Sequence, residues 1–220
     1  MGQKLVGFWM ASNLPPEAEV FIGDLTRPDS LVDAAAGIDA ILFTHGSDGA
    51  GNVALRTLIT AESGMCCALG SQKVRIALMT AIGVTDRLGS YNRSTEAHDW
   101  KRRGERLVRA SGLPYTIVRP GWFDYNKPDE HKLVFLQGDT RHAGNPSDGV
   151  IARQQIAQVL LASLTSDAAL RKTFELVATK GSAQSGLDGV RDVSNMPLED
   201  EPKRVRDDMD AIQAASQDRK

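Results

Sequence analysis

The residues of this 220-residue sequence best suited to proton chemistry gather in one short stretch. His98 and Lys101 stand at i and i+3, which brings them to one helix face, and Tyr91 lies in the loop before them. An imidazole titrates near neutral pH, and a phenol can act as acid or base when a nearby ammonium lowers its pKa. Each also has an ordinary reading, because histidines and lysines on charged helices are commonly solvated. A second cluster, Gly46-Ser47-Asp48-Gly49-Ala50-Gly51, follows an apolar run and precedes a helix-compatible stretch from Asn52, a position suited to phosphate. Its Gly-x-x-Gly-x-Gly spacing is not the dinucleotide fingerprint, and Asp48 would repel phosphate; a flexible loop is the alternative. Cys66 and Cys67 are adjacent and form no Cys-x-x-Cys pair, so no metal site is expected and a reducing compartment fits.

The elements that must position these residues read as α/β. Apolar runs at Val20 to Gly23, Ala40 to Thr44, Val74 to Thr80 and Thr116 to Arg119, with a fifth at Thr173 to Ala178, alternate with helix-period segments. That alternation predicts parallel, buried strands of one sheet joined by crossover helices. Thr26-Arg27-Pro28-Asp29 reads as a capping-box helix start, with Gly37 ending that helix in a left-handed turn. A basic helix begins near Ser94 or Thr95, turns Trp100, Gly104, Leu107 and Val108 to one face, and stops at Gly112 and Pro114. Another spans Arg153 to Leu164, and Leu133 to Gln137 is a small extra strand or a loop anchor. Residues 1–186 form one domain, and residues 187–220 a polar linker and an amphipathic helix carrying Val205, Met209 and Ile212.

Hydrophobic content of 41%, charged content of 25% and a net charge of -2 describe a globular chain without the basic field that nucleic acid would require. The apolar run Leu5 to Met10 is too short for a signal core or a membrane span, and Val6 stands where a myristoylation signal wants Ser or Thr. A cytoplasmic protein with a small-molecule substrate, no nucleic acid and no membrane partner is expected, with a homo-oligomer left open.

Four segments carry a family resemblance: Gly23-Asp24-Leu25-Thr26, Asp39 to Thr44, Ala81-Ile82-Gly83-Val84, and Trp100 to Phe123 with its Ser111-Gly112-Leu113-Pro114-Tyr115-Thr116-Ile117-Val118-Arg119-Pro120-Gly121. In this order they resemble the NmrA-like, NAD(P)H-binding atypical short-chain dehydrogenase/reductases. The likeness runs from about Val20 to Ala178, through Ile151-Ala152-Arg153. It implies a Rossmann-like fold and an NAD(P)(H)-dependent oxidoreductase acting on a small carbonyl, imine or quinone-like substrate. It further implies that Asp24 and Leu25 border the adenine and that Thr44, His45 and Gly46 lie along the ribose and phosphates. Lys101 would take the cofactor-side lysine position, Thr80 that of a substrate-bonding serine, and Pro120, Gly121, Trp122 and Phe123 would wall the nicotinamide or substrate pocket. Ligands collect outside the carboxyl ends of strands in open parallel sheets, which gives these placements a physical reason.

The sequence also departs from the pattern. Ala97 occupies the tyrosine position of the parent group's Tyr-x-x-x-Lys pair, and either His98 or Tyr91 could substitute. Nothing before Val20 supplies the strand, glycine-rich turn and helix whose amides hold the pyrophosphate, and Leu5 to Met10 can provide one strand at most. Weak binding of NADP or NAD is therefore expected. The competing expectations are a non-catalytic dinucleotide-sensing or partner-binding protein, and a truncated member without tight cofactor binding.

Overall fold

The computed structural model describes residues 3–6, 17–21, 28–46 and 74–184. Asp24, Leu25, the glycine cluster beyond Gly46, Cys66 and Cys67, and the linker and helix expected over residues 187–220 lie outside them.

Nine strands form two sheets among the described residues. Strands β1 (Gln3–Val6) and β2 (Ala18–Phe21) make a parallel pair of their own. The larger sheet is built on β3 (Ala40–Phe43), β4 (Arg75–Met79), β5 (Tyr115–Pro120) and β9 (Lys172–Thr179), which lie side by side and parallel in that order. Three short strands complete it: β6 (Trp122–Phe123), β7 (Lys132–Leu136) and β8 (Val150–Ile151). Of these, β7 and β8 run antiparallel to β9, and β6 is parallel to β8.

The period of two along each strand sorts side chains onto two cores. Ile76 and Leu78 of β4 and Tyr115 and Ile117 of β5 face one way, where they meet Val108 of helix α3 (Ala97–Ala110) and Leu31 and Ala35 around helix α1 (Val32–Ala35). Ala77, Val118, Phe174 and Leu176 face the other way and are covered by Ile156, Val159 and Leu160 of helix α4 (Arg153–Ser163). Helices on both faces of a mainly parallel sheet give the doubly wound, Rossmann-like architecture expected. Among the described residues no helix is long and apolar enough to cross a membrane.

Three expectations are corrected. The strand expected at Val20 to Gly23 is Ala18–Phe21, and it joins β1 in the separate pair rather than the main sheet; Val20 is 42% exposed, because only one short neighbour covers it. The N-terminal strand itself lies at Gln3–Val6, earlier than the apolar run suggested. The basic helix does not start at Ser94 or Thr95: a short helix α2 (Ser90–Thr95) comes first and breaks at Glu96, whose φ of 55° is left-handed. The Ser94 and Thr95 hydroxyls both donate to the Tyr91 carbonyl, closing α2, and the Thr95 hydroxyl also accepts from the Ala97 amide at the start of α3 at 3.2 Å. Before α1 the chain forms a 3-10 turn, Pro28–Leu31, and Gly37 adopts the expected left-handed φ of 68°.

Candidate functional site

A cleft of about 470 Å³ opens beyond the carboxyl ends of β4 and β5. Its walls are the 81–92 segment with α2, the start of α3, the 120–125 segment after β5, and the 141–148 loop before β8. The volume is in the range of small-molecule sites.

The turn after β4 is shaped by an anchor buried beneath it. Gly83 has a left-handed φ of 72°, which a residue with a side chain would adopt only with strain. The Asp139 carboxylate holds this turn from behind, accepting from the Gly83 amide at 2.6 Å and the Thr85 amide at 2.7 Å. Asp139 is itself buried and left-handed, and its amide donates to Glu175 of β9 at 3.2 Å.

Asn92 sets the orientation of α3. Because Glu96 has no side-chain cap bond to the helix, the first-turn amides need another acceptor. The Asn92 side-chain oxygen serves, accepting from His98 N at 3.0 Å and Asp99 N at 3.1 Å. His98 and Lys101 thereby reach the cleft together. The His98 ring lies against Tyr91 at a centroid distance of 5.1 Å, and its Nδ1 is buried with no hydrogen-bond partner. Burial first and the Lys101 charge second lower the His98 pKa, opposed by Asp139 and Asp86, which favours the neutral imidazole. Lys101 is also lowered by burial, with Glu105 opposing, and its Nζ reaches the Thr80 carbonyl at 3.5 Å.

One turn along α3 from Lys101, Glu105 begins a polar network under the helix. Arg119 of β5 grips it in a fork, Nε to Oε1 at 2.9 Å and Nη2 to Oε2 at 2.7 Å, and donates through Nη1 to Glu175 at 3.3 Å. The Thr80 hydroxyl donates to Glu105 at 2.8 Å, and Arg109 bridges Glu105 at 3.4 Å and the Thr173 hydroxyl at 2.9 Å. Burial alone would raise the Glu105 pKa, but the Arg119 charge and hydrogen bonds, with help from Arg109 and Thr80, bring it down to about 2. Glu175 goes the other way, pushed to about 7 by burial, with nearby Asp139 adding to the rise and Arg119 opposing it. The network joins the cleft turn to the sheet: Arg119 holds Glu175, Glu175 holds Asp139, and Asp139 holds Gly83 and Thr85.

Of the residues expected at the site, Tyr91, His98, Lys101, Pro120, Gly121, Trp122 and Phe123 line this cleft. Thr80 does not: it is 3% exposed and its hydroxyl is committed to Glu105, away from any substrate. Thr44, His45 and Gly46 follow β3 at the same end of the parallel sheet but outside the cleft lining, with His45 edge-on to Phe43 at 5.9 Å. Ala97 is buried, so a methyl group fills the tyrosine position. Sequence reasoning passed over Asp139, Glu105 and Glu175, and over Arg141 and His142 on the cleft wall. The signal for Glu105 was its i+4 spacing from Lys101, and for Arg119 and Glu175 the period-two positions they share with Ile117 and Thr173.

Residues 10–167 match the family described as NAD(P)H-binding. The chain is 28% identical over 164 residues to an uncharacterized sugar epimerase, YhfK, of Bacillus subtilis (strain 168), covering 72% of each chain. Among solved structures it superposes on a putative NAD-dependent epimerase/dehydratase from Bacillus halodurans with a TM-score of 0.62 at 20% identity, covering 81% of this chain and 78% of the other. It also superposes on a short-chain dehydrogenase/reductase from Veillonella parvula DSM 2008, solved in complex with NADP, with a TM-score of 0.58 at 16% identity and coverage of 79% and 81%. At those identities the two structures bear on the fold, which they share with the doubly wound sheet described above. With the family match spanning most of the chain, and with the strand-end cleft where such folds collect ligands, this protein belongs to the NAD(P)H-binding family.

Proposed function

We propose that this chain is an NAD(P)(H)-dependent oxidoreductase of the atypical short-chain type, moving a hydride between nicotinamide and a small carbonyl, imine or quinone-like substrate. The observation that carries the reading is the pairing of Lys101 with a neutral His98 at a strand-end cleft floored by Pro120 and Gly121. The fit to a dinucleotide rests on two features of the chain itself. Among the described residues Lys101 has a single acceptor within hydrogen-bond reach, the Thr80 carbonyl, leaving donors for ribose hydroxyls. The orphaned His98 Nδ1 requires a partner that a substrate oxygen or nitrogen would provide.

When bound, the cofactor would supply or accept the hydride. The chain's residues orient and manage the proton. Lys101 would hold the ribose and keep His98 neutral, while Trp122 and Phe123 exclude water from one wall. His98, backed by Tyr91, would exchange the proton at the substrate heteroatom. Asp24, Leu25 and Thr44 to Gly46 remain the proposed adenine and phosphate side.

A second reading is favoured by Ala97: without a phenol one turn from Lys101, the chain would sense a dinucleotide rather than turn it over. Following nicotinamide absorbance with a panel of quinones, aldehydes and imines separates the two. NADPH oxidation by at least one class, lost in Lys101→Ala, is the expected result; saturable NADPH binding with no turnover across the panel favours the sensor.

A further inference from the structure

The cleft lining includes a cation that proton transfer and ribose binding do not use. Arg141, between β7 and β8, lines the cleft and donates through Nη1 to the Asp148 carbonyl at 2.9 Å. Among the described residues no carboxylate pairs with it. The nearby Asp148 carboxylate is occupied by amides of its own loop, accepting from Ala143 at 2.7 Å and Gly144 at 2.8 Å. The other arginine at the cleft, Arg153, is in contrast ion-paired with Asp124. His142 follows Arg141, and a methyl placed on Gly83 would lie 4.0 Å from its ring and 3.9 Å from that of His98, so the two imidazoles converge above the turn.

Three aromatic side chains line the same cleft. Trp122 and Tyr125 meet edge to face at 6.2 Å, and Tyr91 stands exposed at the rim. Exposed rings beside an unpaired guanidinium match a flat apolar body bearing an anion, since guanidinium binds carboxylate through two parallel hydrogen bonds. The cofactor's phosphates do not account for the cation. Arg141 follows β7, which pairs with β9, whereas the proposed phosphate side lies by β3, an edge strand separated from β9 by β4 and β5.

We infer that the substrate is a planar, unsaturated carboxylic acid: its ring system lies against Tyr91, Trp122 and Tyr125, and its carboxylate binds Arg141 with His142 beside it. This deepens the oxidoreductase reading and rests on it for the word substrate, but the binding site can be tested alone. The probes are 2-naphthoate and its neutral counterpart 2-naphthamide, titrated into the full chain while the ring C–H signals of its histidines are followed by NMR. Naphthoate should bind about tenfold more tightly than the amide, a difference of about 1.4 kcal/mol, and shift the His98 and His142 signals. Arg141→Gln should abolish the preference and Arg141→Lys keep part of it, with Arg153→Gln leaving it intact; an unchanged histidine spectrum before titration establishes that each variant is folded. Equal affinity for acid and amide, a preference that survives Arg141→Gln, or binding of neither probe at millimolar concentration would overturn the inference. NADPH titrated into the same samples reads the dinucleotide site separately: acid preference without NADPH binding would keep the carboxylate subsite and remove the oxidoreductase reading.

Discussion

Arg119 on β5 and Glu105 on α3 face each other through two parallel hydrogen bonds of 2.9 and 2.7 Å, both side chains buried between helix and sheet. The pair exists because the outward face of β5, which buries Tyr115 and Ile117 near its start, carries a charge at its end, directly under the Glu105 turn of α3. Truncating one partner leaves a buried charge without its counterion, so Glu105→Ala is expected to lose about 3–5 kcal/mol in urea denaturation. Replacing both members with apolar residues, Glu105→Leu with Arg119→Met, should lose less than the single change.

The two glutamates of this network give opposite pH slopes. Glu105, held at about 2, contributes stability that is present above its ordinary value of 4.5 and fades as pH falls toward 2. Glu175, raised to about 7, retains its proton in the folded state where the unfolded chain has lost it, so its contribution is full below 4.5 and is lost as pH rises through 7. Glu175 should therefore contribute a decline in urea midpoint as pH rises from about 5 to about 8, opposed in the lower part of that range by His98, whose lowered pKa acts with the opposite sign. Glu175→Gln should flatten that decline, and an unchanged slope in the variant would assign it to other groups.

The parts of the fold legible in the sequence were those in which one physical rule acted alone. β3, β4, β5 and β9 are apolar runs bounded by turn residues, and each lies within about two residues of where its pattern placed it. The two-residue strands β6 and β8 are too short to show a period. The break at Glu96 was hidden because the amides of His98 and Asp99 are capped by Asn92, from across the break, while Thr95 holds only the Ala97 amide. At the site, strand-end positions located Lys101 and the 120–123 wall, but Thr80 was read as facing the cleft when the sheet's alternation turns it toward Glu105. Arg141, His142 and Asp139 sit in a loop after β7, where spacing carries no directional information.

The crossing of the 121 and 149 segments admits no side chain. A Cβ on Gly121 would fall 2.5 Å from the Gly149 carbonyl oxygen, a backbone atom that cannot swing aside. Gly121→Ala should lower the thermal midpoint and the stability by roughly 1–3 kcal/mol. Gly112→Ala is the control: its Cβ meets nothing within 4 Å, and the cost there is only that of a left-handed φ of 72°.

Kinetics divide the roles at the head of α3. If NADPH is turned over, Lys101→Ala is expected to reduce kcat/KM by about ten- to a hundredfold, and His98→Ala by less. Unchanged kinetics in the lysine variant would remove Lys101 from the reaction. Unchanged kinetics in the histidine variant would remove His98 as the proton carrier, and equal, large losses in both would make its proton transfer as limiting as the Lys101 contact.

The oxidoreductase reading requires a nicotinamide dinucleotide to bind in the cleft above β4 and β5, and weak binding is expected where a Gly-x-Gly-x-x-Gly turn does not grip the pyrophosphate. Charge-assisted hydrogen bonds of that kind contribute roughly 1.5–3 kcal/mol each, and losing two weakens binding by about a hundredfold or more. The most direct measurement is a titration of NADPH fluorescence with the purified 220-residue protein. Saturable binding with a Kd of about tens to hundreds of micromolar, weakened further by Lys101→Ala, is the predicted result. Absence of saturation at millimolar protein would contradict the dinucleotide site itself, and a sub-micromolar Kd would contradict the expected weak binding and direct attention to the Gly46 to Gly51 segment as a phosphate site.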